Sequence, residues 1–363
     1  MKRRQFVGGL AAAAGLAACA GKDKECAGGS AASGGETFEW SCVTSWPPNF
    51  PGLGMAPANV ARRVEAASAG RLRIKVYGAG EIVPAFEVFD AVSRGTAEMG
   101  HGASYYHKGK VDAAQFFTAI PFGMTSQELN GWLYYGGGMD LYREIYAPFN
   151  LVPFPTGNTG VQMGGWFNKE INTVQDLKGL KMRIPGIGGE VLRRAGGTPV
   201  SLPGAEIFTA LQTGAIDATE WVGPYNDVAF GLHKAAKYYY YPGWQEPGPG
   251  LETIVNKAAW DALPADLQQI VETTCQSITA DMPAEYTHGN AMSLAQLEQD
   301  GDIEIREFPR EVLTLLKSLS LEVMEDLMAN DPVSAKVGRA YFDYLDKVSR
   351  MTAITEAAYY RTR

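Results

Sequence analysis

The run from Asn158 to Trp221 limits the fold more tightly than any other part of the chain. Its residues read as short strands around Met163–Phe167 and Lys181–Ile184, a Gly-rich turn at Pro185–Gly189 and a helix from about Glu190 to Ala195. An extended Thr198–Pro203 follows, then a helix from about Ala205 to Thr213 and a strand over Ile216–Trp221. Strand and helix alternating at this spacing predict βαβ units and a mostly parallel sheet. Asn158, Gln162, Arg183 and Glu220 stand at or near the strand ends. Ligands of open α/β sheets gather at the carboxyl ends of strands. A guanidinium, a carboxylate and two amides there suit a small carboxylate, with or without a cation.

The flanking chain extends this pattern. Phe38–Thr44 reads as a strand, Ala58–Ser68 as a helix, and Leu72, Ile74 and Val76 alternate with Arg71, Arg73 and Lys75 as a strand with one wet face. A helix over Ala85–Ser93 and a strand over Ala97–Gly102 lead to Tyr105 and Tyr106, so a βαβαβ half precedes residue 110. Helices at Ser126–Tyr135 and Asp140–Pro148 and a segment Leu151–Pro155 lead into a second half. The aromatic strand Tyr238–Pro242 returns, and Leu251–Asn256 is a further strand. Two crossings, near 155 and 246, predict a hinge between lobes. Beyond Pro264 the chain reads as helical. Val312, Leu315, Leu316, Leu319, Val323 and Leu327 form one apolar stripe, Pro332 interrupts it, and another helix runs from about Lys336 to Tyr360.

The fold class expected is therefore α/β, with two domains, a cleft between them and a helical C-terminal region. Domain I covers 37–155, completed by parts of 247–310. Domain II covers 156–246, with later helices packing on it, and 311–363 forms C-terminal helices.

The first residues, MKRRQFVGGLAAAAGLAACAG, place basic side chains before a short apolar segment. That is the pattern of a signal peptide. Arg3-Arg4 with Gln5-Phe6 is twin-arginine-like, and Leu16-Ala17-Ala18-Cys19 is lipobox-like. Residues 1–18 are thus expected to be removed, Cys19 to carry lipid, and the Gly/Ser-rich 19–36 to act as a flexible tether. Cys26, Cys42 and Cys275 remain, an odd number, and a Cys42–Cys275 bridge stays open. The formal net charge is −8, and losing the three positive charges of Lys2, Arg3 and Arg4 takes it to about −11. An acidic surface argues against nucleic acid or an anionic membrane as partner. No stretch reaches the roughly 18 apolar residues of a membrane span. His101, His107, His233 and His288 are the only histidines, and no G-x-S-x-G, H-E-x-x-H or P-loop occurs, so catalysis has little support.

Three runs carry a resemblance: KMRIPGIGGEVLRRAGGTPV, then LQTGAIDATEW, and later KYYYYPGWQEPG. They are similar to the periplasmic solute receptors of TRAP (tripartite ATP-independent periplasmic) transporters. The closer likeness is to the subgroup for 2-oxo and 2-hydroxy monocarboxylates, and it spans roughly Phe38 to Ala340. The resemblance implies a periplasmic receptor that hands a small carboxylate to membrane permease subunits without chemistry, and that forms a homodimer. It also implies residue roles. Arg183 grips the carboxylate, as a planar fork suits it to do. Gln162, Glu220 and the Trp221 carbonyl hold Na⁺ or Ca²⁺, with Glu246 a further ligand. Oxygen donors suit such hard cations. Asn158 donates to a substrate oxygen, and Tyr105 or Tyr106 caps the ligand from domain I. A secreted enzyme using Arg183 and Glu220, or a sensory receptor of the same fold, are the alternatives.

Overall fold

The computed structural model describes residues 35–363; the leader, Cys19, Cys26 and most of the tether lie outside the described residues. In chain order the strands are β1 Phe38–Thr44, β2 Leu72–Tyr77, β3 Met99–Gly102, β4 Leu151–Asn158, β5 Gly165–Phe167 and β6 Lys181–Arg183. They continue with β7 Thr198–Val200, β8 Ala218–Thr219, β9 Tyr238–Tyr241, β10 Gly250–Asn256 and β11 Glu304–Glu307. One sheet runs β2-β1-β3-β10-β4 and the other β11-β9-β5-β8-β6-β7.

As expected, the strands of each sheet run mostly parallel, with one reversed strand in each. β10 is antiparallel to β3 and β4, and β5 is antiparallel to β8 and β9. The reason lies in the crossings. Helical crossovers return the chain to the far end of a sheet, so strands joined by them run parallel with their carboxyl ends together. β5 and β10 instead enter directly from the other sheet, at the end where the previous strand left, and so run backwards. The carboxyl ends of β4, β6 and β8, the turn after β3 and both crossing loops consequently face one another.

Helices pack against both sheets. Two apolar clusters result, one around Phe89, Trp132, Tyr142, Val191 and Phe308, the other around Trp40, Phe154, Trp166, Leu211 and Tyr286. The helix Ala265–Asp300 packs on β4, on the helix Met55–Ala67 and on the helix Pro224–Ala229, so it touches elements of both sheets. The helix Arg310–Asn330 packs on Gly186–Arg194, and Pro332–Ile354 on the helices that flank the first sheet.

Three local readings change. The Gly-rich segment is not a turn but the first turn of a helix, Gly186–Arg194. Glycine is needed there for close approach: a Cβ on Gly189 would stand 2.6 Å from the Ile184 carbonyl oxygen. The expected strand Ile216–Trp221 shrinks to Ala218–Thr219, leaving Glu220 and Trp221 beyond the ladder. The last helix breaks at Thr355 into Pro332–Ile354 and Glu356–Tyr360. Thr355 Oγ1 donates to the Met351 carbonyl at 2.7 Å, a back-bond that bends helices. Cys42 and Cys275 are buried and unbridged.

Candidate functional site

Each side chain of the site is delivered by a strand end or a crossing. Arg183 is the last residue of β6 and alternates with the buried Met182, so its guanidinium turns to the opposite side of the strand, where it is 1% exposed. Glu220 follows β8, the neighbour of β6, and its backbone N–H donates to the Arg183 carbonyl at 3.1 Å. The two side chains form a buried ion pair through Nη1 and Oε1. Arg183 also donates from Nε to the Leu202 carbonyl and from Nη1 to the Glu220 carbonyl, both at 3.2 Å. Its guanidinium carbon lies 5.2 Å from the Trp221 ring. A charge this deeply buried is tolerated only when paired.

The crossings bring the rest. Gln162 lies between β4 and β5 and Glu246 between β9 and β10, and the Gln162 N–H donates to the Glu246 carbonyl at 3.2 Å. Gln162 Nε2 donates to Thr159 Oγ1 at 3.1 Å, which leaves the amide oxygen turned away. Gln162 Oε1, Glu220 Oε2 and Glu246 Oε2 are buried oxygens with no hydrogen-bond donor among the described residues. Tyr105 and Tyr106 come from the turn after β3. With Gln162, Trp221 and Glu246 they line a small chamber of about 10 Å³ whose remaining walls include Trp46, Leu53 and Leu251. Asn158 stands at the end of β4. Its amide is largely engaged, donating to the Gly248 carbonyl at 2.9 Å and accepting from Gly160 N–H at 2.8 Å. That side chain ties the two crossings together and is not part of the chamber wall.

Charge in the chamber is out of balance. Burial pushes the Glu220 carboxyl up to about 7, with Asp227 nearby adding to the rise and Arg183 opposing it. Burial, then the neighbouring Glu220, hold Glu246 well above the usual carboxylate range. Glu220 pairs with the one guanidinium, Glu246 feels its charge without contacting it, and three buried oxygens lack donors among the described residues. This donor set fits a hard cation bound by oxygen.

Residues absent from the sequence reading also matter. Asp227 accepts from the backbone N–H groups of Val222 and Gly223 at 3.2 Å each, from Trp166 Nε1 at 2.9 Å and from Tyr239 Oη at 2.7 Å. It thereby fixes the peptide run that follows Trp221. A Pro at the start of the helix Pro224–Ala229 with an acid in its first turn was the available signal. Trp46 donates Nε1 to His101 Nδ1 at 2.8 Å, and burial holds His101 down to about 4, so this histidine is a neutral structural acceptor. Phe50 stacks on Phe230 at 4.2 Å and Asn226 Nδ2 donates to the Pro51 carbonyl at 3.0 Å, joining the loop after β1 to the far side of the cleft.

Two sheets linked by two direct crossings, with side chains from both meeting at a small chamber, define a two-lobed solute-binding receptor. Residues 42–331 match the family of bacterial extracellular solute-binding proteins, family 7, and the chain belongs to that family. It is a periplasmic receptor of a TRAP transporter, which delivers a small carboxylate to membrane permease subunits, and it is not an enzyme. The chain is 43% identical over 320 residues, 88% of its own length and 87% of the relative's, to a monocarboxylate 2-oxoacid-binding periplasmic protein of Nostoc sp.. It is 45% identical to the TRAP solute-binding protein of Pseudoalteromonas atlantica with bound sodium and pyruvate, covering 90% of this chain and 100% of that one at a TM-score of 0.88. The corresponding protein of Colwellia psychrerythraea, with bound calcium and pyruvate, is 42% identical with the same coverage and TM-score.

Proposed function

We propose that this receptor captures a small 2-oxo or 2-hydroxy monocarboxylate together with a cation. The observation that carries the reading is the set of three buried acceptors without donors, Gln162 Oε1, Glu220 Oε2 and Glu246 Oε2, beside a buried guanidinium. Arg183 would take the ligand carboxylate. Gln162, Glu220, Glu246 and the Trp221 carbonyl would hold the cation, with Tyr105 and Tyr106 capping the ligand and Asn158 steadying the crossings beside it. A bound hard cation supplies the positive charge that lets both carboxyls ionise and ligates oxygens of the acid. Charge balance points to its valence: the ligand, Glu220 and Glu246 carry three negative charges against the one positive charge of Arg183. The remaining two negatives are matched by Ca²⁺ rather than Na⁺. Relatives holding pyruvate with calcium and with sodium support the ligand class and leave the valence to this charge count.

Closure follows from the same geometry. Residues 37–155 with parts of 247–310, and residues 156–246, would move as two bodies about the crossings. Both contact the ligand only when closed, which biases the closed state. The exposed Met351, Ile354, Tyr359 and Tyr360 support a homodimer through the C-terminal helices. The leader supports twin-arginine export, with a lipid anchor at Cys19.

The test is a thermal-shift panel on the chain beginning after Cys26, stripped of bound ligand by mild unfolding and refolding. Small 2-oxo, 2-hydroxy, dicarboxylic and amino acids are added with calcium, sodium or chelator. A ligand at ~100 times its Kd adds about 2.7 kcal/mol. The expected outcome is a shift for 2-oxo or 2-hydroxy monocarboxylates that is largest with calcium. Shifts confined to another ligand class would overturn the proposal.

A further inference from the structure

Beside the small chamber lies a second cavity of about 350 Å³ between the two lobes. Its walls are largely apolar, from Phe86, Ile184, Pro199 and Val200, with Lys108, Glu190 and Ser201 as polar lining. The inner chamber, at about 10 Å³, has room for little more than one water. Tyr105 and Tyr106 are the residues that line both cavities. The other large walls of the chamber are backed by core: Trp46 and Leu53 are each 2% exposed, Leu251 is 4% and Trp221 is 5%. A ligand tail that outgrows the chamber therefore has one direction open to it, past the tyrosines.

The two rings are not equivalent. Tyr105 lies against Gly186 across the cleft, where a Cβ would stand 3.4 Å from its ring. Tyr106 has Phe86 of the outer cavity at 4.8 Å on one side and Trp46 of the inner chamber at 6.1 Å on the other. It is the wall between the two spaces.

We propose that Tyr106 is the specificity-determining partition of this receptor: it favours acids with a short tail, and the apolar outer cavity is the space a longer tail would occupy in its absence. The inference rests on the ligand class proposed above. Isothermal titration in saturating calcium tests it, with pyruvate, 4-methyl-2-oxopentanoate and phenylpyruvate as probes. Wild type is expected to favour pyruvate over the two longer acids by more than about 10-fold, the discrimination available from excluded methylenes. Tyr106→Ala is expected to shift that ratio toward the longer acids by about 10-fold or more. Adding Ser201→Phe, which fills the outer cavity from its exposed rim, is expected to take the gain back. Tyr106→Leu serves where the alanine variant does not fold. A wild type that binds phenylpyruvate as tightly as pyruvate, an unchanged ratio in the folded variant, or a gain that survives Ser201→Phe each overturns the partition. If wild type binds none of these acids, the ligand class fails and the partition falls with it. Unchanged preferences in a protein that does bind them sink the partition alone.

Discussion

Asp227 and Glu252 differ from Glu220 and Glu246 in one respect, though all four carboxyls are buried. Every oxygen of the first pair is satisfied by the protein. Asp227 takes two backbone N–H groups, an indole and a phenol. Glu252 faces His107 Nε2 at 2.8 Å, Tyr146 Oη at 2.8 Å and Tyr142 Oη. The second pair each keeps one oxygen with no donor among the described residues. Buried polar groups are nearly always satisfied, and a bare carboxylate oxygen is among the costliest to leave so, which makes these two candidates for completion by something from outside. Asp227 and Glu252 are completed by the protein itself; under the proposed function Glu220 and Glu246 await a ligand.

The largest effect should come from confusing the two kinds. Glu252→Ala leaves His107, Tyr142 and Tyr146 around an empty acceptor, and should lower the unfolding free energy by about 3–5 kcal/mol in urea titrations. Glu246→Gln removes a buried charge that lacks a full partner. The ligand-free protein should lose less than about 1 kcal/mol, or gain stability, while calcium loses its stabilising effect. Equal losses in the two variants would erase the distinction.

Arg183 belongs to the reserved side of the comparison although it is itself paired. Arg183→Ala should weaken monocarboxylate binding by about 2–5 kcal/mol, measured by isothermal titration in saturating calcium. Unchanged affinity would put the carboxylate elsewhere in the cleft.

How much of this was legible in the sequence follows the same division. Arg183 and Glu220 could be read because each stands at the end of a strand whose alternation is local, and the TRAP-like runs surround them. Gln162 and Glu246 could be matched by resemblance alone, since no periodicity governs a crossing. Asp227 was invisible as a linchpin because its partners, Trp166 and Tyr239, are remote in sequence. The reversed direction of β5 and β10 was not legible, because it depends on which sheet the chain enters, which local pattern does not encode. The Gly186–Gly189 run was read as a turn before the helix, yet the helix begins at Gly186, with Gly189 in close approach to Ile184.

A pH series sharpens the contrast further. The folded value of Glu220, about 7, lies above its ordinary 4.5, mainly through burial. Its contribution to the stability of the ligand-free protein is therefore fully present below pH 4.5 and lost as pH rises through 7. A cation favours the ionised form. The rise in Tm on replacing chelator with calcium should thus be larger at pH 8 than at pH 5, by up to a few kcal/mol in the underlying free energy. An increment independent of pH would mean that Glu220 does not face the cation.

The smallest effect separates closure from folding. Gly186 has φ +61°, a region that costs an L-residue roughly 1–2 kcal/mol, and it abuts Tyr105 across the cleft. A methyl there meets the ring at 3.4 Å, a contact that a small adjustment relieves. The conformational cost is the same whether the lobes are open or closed. Gly186→Ala should accordingly lower the urea midpoint by an amount worth about 1 kcal/mol and leave pyruvate affinity within a few-fold, because strain common to both states cancels in binding. An affinity loss larger than the stability loss would mean that the ring must come closer to Gly186 in the ligand-bound state. The glycine would then be part of the closing surface, joining Glu220 and Glu246 as a group kept free for the ligand.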